Sequence, residues 1–242
     1  MDHANERADL AAALRWAVRY NWHEAVANHF SLAVNAAGTR FLMNPNSRHF
    51  SRVKASDLLL LDANDPDVLT GPDVPEPTAW GLHGAIHRNV PFARCALHIH
   101  SKYSTVLASL KDSILPPIDQ NSAMFYNRIV VDESYGGLAF EDEGERISAL
   151  FTDPLKKVMV MGNHGLMVLG ASVAEAFNTL YYFERAAETC VLALATGKPL
   201  RTLSHNIAMK TADEMNTVTE VVDNHLKELR LILDEEGANY AA

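Results

Sequence analysis

Two histidines, His98 and His100, stand two positions apart in the run Cys95-Ala96-Leu97-His98-Ile99-His100. Side chains alternate faces along a β-strand, so both imidazoles point the same way. A third, His164, sits in the turn Gly162-Asn163-His164-Gly165 between two apolar runs. Two imidazoles on one face, with a third brought in from elsewhere, are a usual way to hold a divalent transition metal. The plain alternative is one core histidine and one exposed histidine, but same-face geometry argues against that split. His83 and His87 have the i, i+4 spacing of zinc-binding helices, without the glutamate of a metalloprotease helix. His83 therefore reads as packed in the core or supporting the site from behind. Asn28 and Ser31 offer an amide and a hydroxyl near a strand start. The sequence holds no glycine-rich phosphate cradle and no nucleophile elbow.

Around these residues the hydrophobic pattern alternates between the two periods. Residues 6–20 carry Leu10, Ala13, Leu14, Ala17 and Val18 at helical spacing. Residues 28–34 and 39–43 read as a hairpin, and 58–61 as a buried strand. The segment 63–77 contains Pro66, Pro72, Pro75 and Pro77 and reads as irregular chain. A helix is expected from 78 or 79 to 89, ended by Pro91. Ser101 is placed to cap a helix running to about 110. A short strand over 129–131, a turn at 135–138 and a helix over 142–150 follow. Strands at 158–161 and 166–169 flank the His164 turn. Ser172 opens a helix from 173 to about 196, ended by Gly197 and Pro199. A last helical segment is expected over 212–236, leaving a tail with Tyr240. Strands and helices mix without regular βαβ alternation, which favours a mixed α/β sandwich over a doubly wound sheet.

With 242 residues and no linker between 30 and 200, the chain reads as one domain with a helical extension from about 200 to 242. The net charge of −9, with no basic run, argues against nucleic acid or an anionic membrane as a partner. The longest apolar stretch is interrupted at Gly162 to Gly165 and is too short and polar to span a bilayer. The polar, acidic first residues do not read as a signal peptide. With only Cys95 and Cys190, the expectation is a cytoplasmic protein with reduced thiols.

Taken together, the residues resemble the class II aldolase/adducin family. The matching stretches are Asn28-His29-Phe30-Ser31, Ala55 to Leu58, Trp80-Gly81-Leu82-His83, His98-Ile99-His100, Gln120 to Tyr126, Tyr135 to Ala139 and Asn163-His164-Gly165-Leu166. Gly170 to Phe177 and Phe183 to Ala187 match as well, so the resemblance spans roughly 8 to 200 in order. It implies a three-layer α/β/α fold with a central, mainly antiparallel sheet. It also implies a zinc or related ion (iron or manganese among them) on His98, His100 and His164, and a homotetramer with sites at subunit interfaces. The sequence departs in one place: the sugar-phosphate aldolases of the family have a glutamate before the Trp, where this chain has Ala79. The upstream acid is Glu76, and the adducin-like branch looks similar at Glu76-Pro77-Thr78-Ala79.

The resulting expectation is a metal-dependent lyase for a small-molecule substrate. It would cleave by retro-aldol reaction, or decarboxylate, a small hydroxy or oxo acid or sugar-derived compound through a metal-stabilised enolate. Glu76 is the candidate base and Tyr126 the candidate proton donor. Asn28, Ser31 and Gln120 are the candidate substrate contacts, and Tyr240 is a residue that could act across an interface. An iron-dependent oxygenase and a non-catalytic adducin-like interaction domain are the alternatives.

Overall fold

Strand parity divides the interior of this chain into two halves. The computed structural model describes residues 2–70, 73–134 and 141–242, so the stretch Tyr135 to Ala139 lies outside the described residues. The strands are β1 (His29–Ala33), β2 (Arg40–Met43), β3 (Leu59–Asp62), β4 (Cys95–Ile99), β5 (Ile129–Asp132), β6 (Val158–Met161) and β7 (Gly165–Gly170). They form one seven-stranded sheet of order β3-β2-β1-β4-β7-β6-β5. Every neighbouring pair is antiparallel except β5 with β6. The helices are α1 (Ala4–Arg19), α2 (Pro77–Asn89), α3 (Lys102–Ala108), α4 (Gln120–Ala123), α5 (Glu141–Ser148), α6 (Val173–Ala195), α7 (His205–Met215) and α8 (Thr219–Glu235).

On one face, Leu97 and Ile99 of β4, Leu166 and Val168 of β7, and Val158 and Val160 of β6 pack with Leu10 and Leu14 of α1 and Phe177, Leu180 and Phe183 of α6. The intervening residues Ala96, Met167, Leu169, Met159 and Met161 meet Leu82 and Ile86 of α2 and Ile147 of α5 on the other face. Period-2 alternation thus yields the expected three layers, helices over both faces of one sheet. β4 is the middle strand. His98 has the parity of Ala96, so it faces α2. In the β1–β4 register His29 lies opposite His98 and Ser31 opposite Ala96, which turns both β1 residues to the same side.

Some element limits differ from the sequence expectation for identifiable reasons. α2 starts at Pro77, whose fixed φ suits a first helical turn, with Glu76 as its N-cap. β3 is an edge strand, so Leu59 and Leu60 are half-buried rather than buried. The helix expected over 212–236 is two helices. The break falls at Asn216 and Thr217, and the Thr217 hydroxyl donates to the Glu214 carbonyl. Leu226 and Leu229 of α8 join the α1–α6 core. Tyr240 is fully buried against Ala8, Ala11, Ala12 and Leu233. Its carbonyl and that of Ala242 accept from the amides of Ala55 and Ser56. The tail is therefore fastened to its own chain, and Tyr240 is a core residue.

Candidate metal centre

The end of β4 presents His98 and His100, and the β6–β7 turn brings His164 against them. Ring centroids are 4.8 Å apart for His98 and His100, 4.7 Å for His98 and His164, and 4.5 Å for His100 and His164. One ring nitrogen from each lies within 4.8 Å of the others. The turn adopts this path because Asn163 takes a left-handed φ of 57°, which asparagine tolerates. The Asn163 amide donates to the Ala108 carbonyl at 2.9 Å, tying the turn to α3. At Gly165 the requirement is space rather than φ. A Cβ there would lie 2.6 Å from the Ile99 oxygen and 2.7 Å from Cδ2 of His100.

The rings of His98 and His100 are each held by a neighbour. His98 Nδ1 donates to the Leu166 carbonyl at 2.9 Å, so its lone pair is on Nε2. His98 Nε2 lies 2.9 Å from His100 Nε2. His100 Nδ1 bonds the carboxylate of Glu24, a residue that no sequence pattern singled out. The Glu24 amide in turn donates to Asn28 Oδ1 at 2.6 Å. Burial is the first reason why His98 protonates only well below the ordinary histidine range, and the neighbours His29, His164 and His100 add to it. Burial, then His100, pushes His164 down to about 4. At neutral pH His98 and His164 keep their lone pairs. Three imidazoles converging within bonding reach fit a borderline divalent ion such as zinc.

Further polar residues lie behind the triad. The His29 ring stacks on His98 at 4.7 Å and 27°. His29 Nδ1 is 2.7 Å from His83 Nε2. His83 Nδ1 meets the Ser31 hydroxyl, which is also 2.7 Å from His87 Nε2. Ser31, expected among the substrate contacts, is fully buried and joins two histidines of α2 instead. Burial dominates the lowered values of His29, to about 3, and His87, to about 4.

Asn28 is buried, and its Nδ2 has no partner among the described residues. It lines a recess with His29, Asn44, Glu76 and Ala79. Glu76 caps α2, with both hydrogen bonds, from the Ala79 amide and the Thr78 hydroxyl, falling on Oε2. Tyr126 and Gln120 are placed elsewhere in this single chain. The Tyr126 hydroxyl is 3.2 Å from His205 Nδ1, and the exposed Gln120 approaches Met215 at 3.9 Å. The exit of β4 is fixed by Glu184 of α6, which is buried. Glu184 accepts from the Ser101 hydroxyl, the Tyr103 amide, and both the amide and hydroxyl of Ser104. Ser101 thus precedes α3 as expected, but its hydroxyl goes to Glu184 rather than to the helix backbone.

The chain belongs to the class II aldolase and adducin family. The Class II Aldolase and Adducin N-terminal domain matches residues 8–191. A crystal structure of an aldolase II superfamily protein from Pseudomonas syringae superposes with a TM-score of 0.88 at 28% identity, covering 99% of this chain and 96% of that one. Alpha-adducin of Rattus norvegicus is 29% identical over 192 residues, which are 78% of this chain but 25% of the adducin. An L-fuculose 1-phosphate aldolase from Glaciozyma antarctica shares the fold, with a TM-score of 0.82 at 22% identity over 99% of this chain and 92% of its own.

Proposed function

We propose that this protein is a divalent-metal-dependent lyase acting on a small hydroxy or oxo acid, or a sugar-derived compound, by retro-aldol cleavage or decarboxylation. The observation that carries the reading is the convergence of three imidazoles, His98, His100 and His164, with one ring nitrogen of each within 4.8 Å of the others. An ion held there, zinc by preference, supplies Lewis-acid polarisation of a substrate oxygen, which lowers the cost of the negative charge left when a carbon–carbon bond breaks. The protein's own groups do the rest. The Leu166 carbonyl and Glu24 orient His98 and His100. The Asn28 amide presents Nδ2 as a donor to a substrate oxygen. Glu76 is the candidate base: Oε2 caps α2, and Oε1 accepts no hydrogen bond among the described residues. Tyr126 and Gln120 would serve the site of a neighbouring copy in a homotetramer, because in their own chain both side chains turn to α7, at His205 and Met215.

The adducin match supports a second reading, a binding domain without turnover. Elemental analysis separates the two. The purified protein is expected to carry close to one divalent ion per chain, and His98→Ala is expected to lose it while remaining folded by circular dichroism. The metal-loaded protein is then screened for turnover of hydroxy and oxo acids. Unchanged metal content in His98→Ala would end the triad assignment, and a metal-replete protein inert across the screen would favour the binding domain.

A further inference from the structure

With the rings neutral, one carbonyl sets the direction of the hydrogen bonds that link His87, Ser31, His83 and His29. His87 Nδ1 lies 2.8 Å from the Ala93 oxygen, which can only accept, so Nδ1 carries the proton. His29, His83 and His87 are buried, and no acid hydrogen-bonds any of them among the described residues. Each ring is therefore neutral, with one proton. His87 Nε2 is then bare and accepts from the Ser31 hydroxyl at 2.7 Å. The Ser31 oxygen, its hydrogen turned to His87, accepts from His83 Nδ1. His83 Nε2 is bare in its turn and accepts from His29 Nδ1 at 2.7 Å. No other placement of the protons satisfies all four contacts. The chain ends with His29 holding a bare Nε2 on the ring edge turned away from His83.

That edge belongs to a ring stacked on His98 and lining the recess of Asn28 and Glu76. Among the described residues the ligand-atom cluster consists of His98, His100 and His164, which leaves His29 Nε2 for another partner. We propose that His29 Nε2 is a fixed hydrogen-bond acceptor for a substrate hydroxyl held at the triad, its proton-free state dictated from Ala93 through His87, Ser31 and His83. The location of the hydroxyl rests on the metal-centre reading; the ordered chain does not. The ligand class is a small compound whose oxygen beside a carboxylate or carbonyl carries a hydrogen. An ether at that position has nothing to donate. His83, Ser31 and His87 are positioning residues, acting only through His29.

Two measurements on the zinc-loaded protein test this. With histidine selectively labelled with 15N, NMR is expected to show pyrrole-type Nδ1 and pyridine-type Nε2 in His29, His83 and His87 alike. Ser31→Ala, which removes the central link, is expected to turn the His29 signals into a mixture of tautomers. By titration calorimetry, glycolate is expected to bind roughly tenfold tighter than methoxyacetate, the worth of about one hydrogen bond. His29→Phe is expected to bring that preference within about twofold while zinc content stays unchanged. An Nε2–H signal at His29 in the zinc-loaded wild type, or an unchanged preference in His29→Phe, overturns the proposal with the metal centre intact. Failure of the wild type to take up zinc overturns the metal-centre reading and the hydroxyl contact with it.

Discussion

Gly165 is the residue on which the triad's geometry depends most directly. Its missing Cβ lets β7 pass against the Ile99 carbonyl and the His100 ring, at separations no side chain would tolerate. Gly165→Ala is therefore expected to displace His100. It should lower stability by about 1–3 kcal/mol and weaken zinc binding by roughly tenfold or more, as read by competition with a chelating dye. Normal zinc affinity in that variant would show that the ring position is not critical. The histidine spacing made the meeting of His98 and His100 legible in advance, because strand parity alone puts both on one side. Glu24 was not legible. It is an exposed acid in a loop, without periodicity, and only the folded chain brings it to His100. Ser31 was expected as a substrate contact from the hydroxyl it offers near a strand start. Its place beside His83 and His87 follows from the β1–β4 register, which no local pattern encodes.

Among the elements, the strand–helix junction from β4 to α3 carries the heaviest demand. Glu184 collects two backbone amides and two hydroxyls at that point, in a buried setting. Removing the carboxylate leaves all four donors without an acceptor. Glu184→Ala is expected to cost about 3–5 kcal/mol, because unsatisfied buried polar groups keep their full desolvation penalty. Glu184→Gln, which retains one oxygen, should cost about half as much. Urea denaturation at an unchanged slope measures both. Equal effects of the two substitutions would mean that packing, not hydrogen bonding, holds the junction. From sequence, Glu184 was part of a matching run without an assigned role, since an acid on a long helix reads as surface. The strands and the main helices were legible from their periods. The break between α7 and α8 was not, because no glycine or proline marks residues 216–218.

For the molecule as a whole, the buried histidines set the response to acid. His29 and His87 are neutral in the fold down to about 3 and about 4, whereas in the unfolded chain they take up protons near 6.5. Between those values the unfolded state binds more protons, so stability falls as pH falls. The loss begins near pH 6.5 and continues to about pH 4 for His87 and about pH 3 for His29, with each such ring adding up to about 1.4 kcal/mol per pH unit. Chemical denaturation at pH 7.5, 6.0 and 5.0 should show a steep decline, smaller in Ser31→Ala/His87→Leu/His83→Phe than in the parent. A flat profile over that range would contradict the neutral assignment. Among the described residues no helix is long and apolar enough to cross a membrane.

The division of the interior by strand parity has a consequence for how this scaffold can be altered. The α1–α6 side is packed mostly with hydrocarbon, apart from the Glu184 junction that fixes the exit of β4. The α2 side keeps four linked polar side chains out of water, where residues of similar volume such as leucine or phenylalanine would hold the layers together at least as well. A search for greater heat resistance would therefore be drawn to His29, His83, Ser31 and His87 first, and would harden the protein by erasing the ordered hydrogen bonds behind its triad. Robustness and chemistry compete here for the same side of one sheet, and on the other side the hydrocarbon packing outside the Glu184 junction is the freer place for engineering.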